Sequence, residues 1–61
     1  MMVKPEMIFV YNGKMAQTLE YLPNFDLWAC RYCDGSSLVF LFTKEIEERM
    51  KNTHEARIQI L

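Results

Sequence analysis

Two dipeptides limit this chain more than any other feature: Asn12-Gly13 and Asp34-Gly35, each set between apolar runs. A two-residue hairpin turn of type I′ needs positive φ at both central residues. Asn-Gly and Asp-Gly reach that conformation at the least steric cost. On this reading "EMIFVY" and "KMAQTLEYL" are strands one and two, and "DLWACRYC" and "SSLVFLF" are strands three and four. Pro23 cannot donate to a strand ladder, which suits it to the connection between the two hairpins.

After Phe42 the period of the pattern changes. "TKEIEERMKN" places Ile46 and Met50 four residues apart, with Thr43 as N-cap and acidic residues in the first turn, so a short helix is expected. Glu45 with Arg49 and Glu47 with Lys51 are i,i+4 pairs in the favourable orientation, each supporting the helix by about 0.2–0.5 kcal/mol. "HEARIQIL" alternates again, with Ala56, Ile58 and Ile60 to one side, and reads as a fifth, closing strand. The sixty-one residues then form one α+β domain, ββββαβ, with the helix packed on one face of a small antiparallel sheet. A small five-stranded barrel is the alternative.

Both faces of the sheet are apolar. A turn at Asp34-Gly35 sets Arg31 opposite Leu38, Cys30 opposite Val39, Ala29 opposite Phe40 and Trp28 opposite Leu41. Because side chains alternate, Trp28, Cys30, Tyr32, Val39 and Leu41 share one face, and Leu27, Ala29, Leu38, Phe40 and Phe42 the other. In the first hairpin Ile8, Val10, Met15 and Leu19 oppose Met7, Phe9 and Tyr11 in the same way. A helix offering Ile46 and Met50 covers one face only. Each large apolar side chain left in water forgoes about 1.5–3 kcal/mol relative to full burial. The second face is therefore expected to meet a second copy, a target protein, or its own sheet curled into a barrel. With 51% hydrophobic residues, the chain has more apolar material than so small an interior holds.

Seven basic against eight acidic residues leave no positive stripe of the kind that tracks phosphates, which disfavours nucleic acid. A stacking sheet using Phe9, Tyr11, Trp28 or Tyr32, with Lys4, Lys14 and Arg31 near phosphates, is the corresponding alternative. No run approaches the ~18 apolar residues of a membrane span. "MIFVY" is too short for a secretory core, and two cysteines suit a reduced, cytoplasmic setting.

"CRYCDGS" resembles the knuckle of zinc-ribbon proteins over seven of the 61 residues. The resemblance implies Cys30 and Cys33 as ligands, with His54 plus a carboxylate, or a dimer's second cysteine pair, completing the four. In a regular strand, however, residues three apart face opposite ways, which favours a hairpin with Cys30 and Cys33 as small apolar residues and no cofactor. Gly13 and Gly35 both belong to turns, so no phosphate loop exists, and His54 lacks a catalytic constellation. The expectation is a non-enzymatic protein-interaction module, an inhibitor or regulator of a larger protein and a homodimer. Its interface candidates are Tyr11, Tyr21, Trp28, Tyr32, Phe40, Phe42, Glu45, Glu47 and Glu48.

Overall fold

The computed structural model describes the backbone of residues 2–60 and the side chains of residues 2–52. Strands β1 (Ile8–Tyr11), β2 (Lys14–Leu22), β3 (Leu27–Tyr32) and β4 (Leu38–Phe42) lie antiparallel in chain order, and helix α1 (Thr43–Ile60) follows at once. The sheet is open, with β1 and β4 at its edges, so the barrel does not form.

The first hairpin turns as its dipeptide dictates. Tyr11 pairs with Lys14, and Asn12 and Gly13 both take left-handed φ, 53° and 74°. A Cβ added at Gly13 would meet nothing within 4 Å, so glycine is required there by backbone conformation and not by space. The second hairpin keeps the expected register, Arg31 opposite Leu38 through Leu27 opposite Phe42. Its turn differs from the two-residue expectation: residues 33–37 connect the strands, and of Asp34 and Gly35 only Gly35 has positive φ. The carboxylate of Asp34 accepts the Ser36 N–H at 2.8 Å, and Gly35 N–H donates to the Tyr32 carbonyl at 2.9 Å. This local side-chain bond offers Asp34 an alternative to the left-handed conformation.

One irregularity reorders the faces. The pairing of β2 with β3 slips between Thr18, opposite Cys30, and Glu20, opposite Ala29, which leaves Leu19 as a bulge. Beyond it, Tyr21 pairs with Trp28 on the helix side, and Glu20 and Leu22 fall on the opposite face. Without the bulge, strict alternation would put Tyr21 with Met15 and Gln17.

Helix α1 crosses the sheet from β4 towards β1. The core between them contains Phe9, Ala16, Trp28, Cys30, Tyr32, Leu41, Ile46 and Met50, with Val3 from the N-terminal segment. Thr18 is the buried polar member. Its hydroxyl donates to the Lys4 carbonyl at 2.6 Å and accepts the Met7 N–H at 2.9 Å. The turn through Pro5 and Glu6 (φ 66°) is thereby tied to β2, and β1 starts at Ile8 and not at Glu6. The indole N–H of Trp28 donates to the Thr43 hydroxyl at 3.2 Å, joining β3 to the first residue of the helix. Glu45 and Arg49 form the expected i,i+4 pair at 3.4 Å.

The closing strand is corrected. The helix runs on to Ile60 through the residues expected to form it, so the chain is ββββα. No Gly or Pro follows Asn52, and Glu, Ala, Arg, Gln and Leu are good helix formers, so nothing stops the helix. The side chains of Ala56, Ile58 and Ile60, and all of Leu61, lie outside the described residues.

Two stability measurements follow from these features. Ile46→Ala is expected to lower unfolding free energy by about 2–5 kcal/mol. Thr18→Val, which strips two partners at once, should cost about 1–3 kcal/mol. Both are read from urea titrations followed by far-UV circular dichroism. Separately, Gly13→Ala should cost about 1–2 kcal/mol, because alanine must adopt the left-handed conformation in otherwise open space; an unchanged urea midpoint would contradict the turn assignment.

Candidate interaction surface

Alternation and register together define the face turned away from the helix. Its rows are Ile8, Gln17, Arg31 and Leu38; then Glu20, Ala29 and Phe40; then Leu22, Leu27 and Phe42, with Val10 and Met15 at the other end. Exposure follows this division. Ile8 (43%), Val10 (40%), Met15 (54%), Leu38 (57%), Phe40 (52%) and Phe42 (57%) are all open to solvent. Phe9, Ala16, Trp28, Cys30 and Leu41, on the other side of the same strands, are buried. The exposed apolar residues form two clusters, Ile8, Val10 and Met15 on β1 and the start of β2, and Leu38, Phe40 and Phe42 on β4. Gln17, Glu20, Arg31 and the half-buried Leu22, Leu27 and Ala29 lie on the strands between them. Grouped exposure of this kind is unlike the scattered single hydrophobics of an ordinary protein exterior. Arg31 and Glu20 are the charged residues set among them, and both are exposed.

The sequence-based interface set divides accordingly. Phe40 and Phe42 lie on the open face. Trp28 and Tyr32 are corrected to core residues, sealed beneath the helix on the side that Ile46 and Met50 cover. Tyr32 also accepts a hydrogen bond from the Asn12 side-chain amide at 3.4 Å and carries the Lys14 ammonium 5.1 Å from its ring centre. Tyr11 is half-buried on the helix side, with the Arg49 guanidinium 5.4 Å from its ring centre. Tyr21 sits at the margin of that side, its ring tilted 50° against Trp28 at 5.5 Å. Its hydroxyl donates to Asp26 at 2.6 Å, a bond to the carboxylate that raises the phenol pKa. Glu45 and Glu47 are half-buried, Glu48 is exposed, and all three border an open groove with Phe42 and Thr43.

Reading aromatics alone missed the aliphatic part of the surface. Ile8, Val10, Met15 and Leu38 belong to it as fully as the phenylalanines, and alternation within each strand was the signal that pointed to them. Phe25, 68% exposed in the connection between the hairpins, was missed because turn residues surround it.

The two cysteines are apart in environment. Cys30 is buried on β3 facing the core, and burial pushes its thiol pKa up to about 11. Cys33 lies in the exposed connection after β3. They are not placed to share an ion or to act as a redox pair; the His54 side chain is outside the described residues. Among the described residues no three metal-ligating side chains come together. Phe9, Trp28 and Tyr32, three of the four aromatics considered for base stacking, are in the core. No helix among the described residues is long and apolar enough to cross a membrane.

Compared with known protein families, characterised proteins and solved structures, the chain matches none of them.

Thiol chemistry tests the assignment of the two faces. At pH 8 the folded protein is expected to react with a disulfide reagent once, rapidly, at Cys33; Cys30, neutral and covered, should react only after denaturant is added. Folded Cys33→Ser should be inert on the same timescale, and prompt reaction of Cys30 would show that the helix does not cover that face.

Proposed function

We propose that this chain is a small non-enzymatic protein-interaction module, acting as an inhibitor or regulator by applying the open face of its sheet to a protein surface. The observation that carries the reading is the exposure of Ile8, Val10, Met15, Leu38, Phe40 and Phe42 on one side of one sheet. Side chains on a sheet held by backbone ladders lose little conformational freedom on docking, so covering them yields free energy with a small ordering cost. Phe40 and Phe42 are the expected anchors, since aromatic side chains dominate interface energetics. Glu45, Glu47 and Glu48, with Asp26, outnumber Lys44 and Arg49 in the groove beside Phe42, so the border is acidic on balance and fits a partner with basic residues at the edge of its contact.

The test is affinity purification from host cells with wild-type chain and with Phe40→Asp and Phe42→Asp as baits. Both positions are exposed, so the variants should keep the wild-type circular dichroism spectrum and a urea midpoint close to it. Partner recovery is expected to fall at least tenfold for either variant. Equal recovery by folded Phe40→Asp and Phe42→Asp would exclude the open face as the functional surface.

A further inference from the structure

We infer that the open face is covered by a second copy of this chain, the two sheets packed open face to open face about a two-fold axis. The inference rests on the interaction reading above and names its partner.

The size of the surface is the first support. A phenylalanine fully covered buries roughly 150–250 Å², so Phe40 and Phe42, about half exposed, contribute on the order of 100 Å² each. With Ile8, Val10, Met15 and Leu38, exposed to similar degrees, the apolar residues of the two clusters on this face sum to on the order of 500 Å² per molecule. Two copies facing one another would bury about 1,000 Å², the size at which specific association begins.

Charge supplies the second. Among the twelve strand positions of this face, Arg31 and Glu20 carry charge, and the signs are opposite. Arg31 pairs with Gln17, and Glu20 sits on the same neighbouring strand beyond the bulge, opposite Ala29. The register sets them diagonally across the β2–β3 pair, with the Leu19 bulge between Gln17 and Glu20. A surface with one positive and one negative residue side by side is complementary to itself. In an isologous contact residue i meets j while j meets i, so a two-fold axis between them sets Arg31 of each copy on Glu20 of the other. One adjacent pair thus gives two intermolecular ion pairs within an apolar surround. Association through the outer edge of β4 would pair backbones but leave this face in water, so it does not meet the same need.

Analytical ultracentrifugation of the full chain across 1–500 µM, on the order of the range where such interfaces populate, is the experiment. Wild type is expected to dimerise. Arg31→Glu and Glu20→Arg should each weaken dimerisation at least tenfold, because each places like charges together twice. The double variant E20R/R31E should return to within a few-fold of wild type, and an equimolar mixture of the two single variants should form a heterodimer tighter than either alone. Circular dichroism checks that all remain folded. A wild type that stays monomeric throughout overturns the inference. So does a dimer indifferent to both charge reversals, and one indifferent to Phe40→Asp points to the β4 edge instead. A monomeric wild type whose capture of another protein depends on Phe40 removes the second copy and leaves the interaction reading standing. Indifference of both capture and dimerisation to Phe40→Asp removes both.

Discussion

A single helix lies over a sheet that is apolar on both sides, and the rest of the molecule follows from that mismatch. Among the described residues, Ile46 and Met50 are the helix side chains buried in the core, in one cluster with Phe9, Trp28, Cys30 and Leu41. The helix leaves β4 without a connecting loop, crosses towards β1, and fills one side. Among the described residues no second layer covers the other. Full burial of a large apolar side chain is worth about 1.5–3 kcal/mol, so each half-exposed residue on the bare side leaves about 1 kcal/mol unrealised. A protein of this size has little stability to spare, so a bare apolar side is costly to it.

Polar groups at the boundary of the core hold the covered side in place. Thr18 ties the N-terminal turn to the middle of β2, so Val3 can lie against the core. The Trp28 indole bond to Thr43 joins the strand at the centre of the core to the start of the helix. Among the described residues, every buried side-chain nitrogen or oxygen has a hydrogen-bond partner. The outcome is a stiff platform: the side chains on the bare face inherit their positions from backbone ladders and from a packed layer behind them.

Much of this is legible in the amino-acid sequence. Asn12-Gly13 located the first turn, and β2 runs over Lys14–Leu22 as its alternation predicts. The β3–β4 register followed from the position of Asp34-Gly35 even though the turn there is longer, because strand pairing absorbs a change in loop conformation when the residue count is conserved. The division of Trp28, Cys30 and Leu41 from Ala29, Phe40 and Phe42 was likewise legible. Which of the two faces the helix would take was not. Both are apolar, so Trp28 and Tyr32 looked as available as Phe40 until packing chose between them. Residues 54–60 alternate over a span too short to distinguish a strand from the continuation of a helix, and the lack of any breaker after Asn52 decided it. The bulge at Leu19 left no local mark, since it depends on how β2 meets β3 and not on β2 alone.

That bulge acts as a change of parity partway along one strand. Residues before Leu19 and residues after it obey opposite rules for which side of the sheet they decorate, so Glu20, Tyr21 and Leu22 together take the sides opposite to those strict alternation would give them. Tyr21 is handed to the tryptophan it stacks against, and a carboxylate is delivered to the bare side beside an arginine. A lineage that lost Leu19 would straighten the strand and still set Glu20, Tyr21 and Leu22 opposite Ala29, Trp28 and Leu27 on their present sides, so this short segment is where such a scaffold can change its length by one residue with the least disturbance to either face.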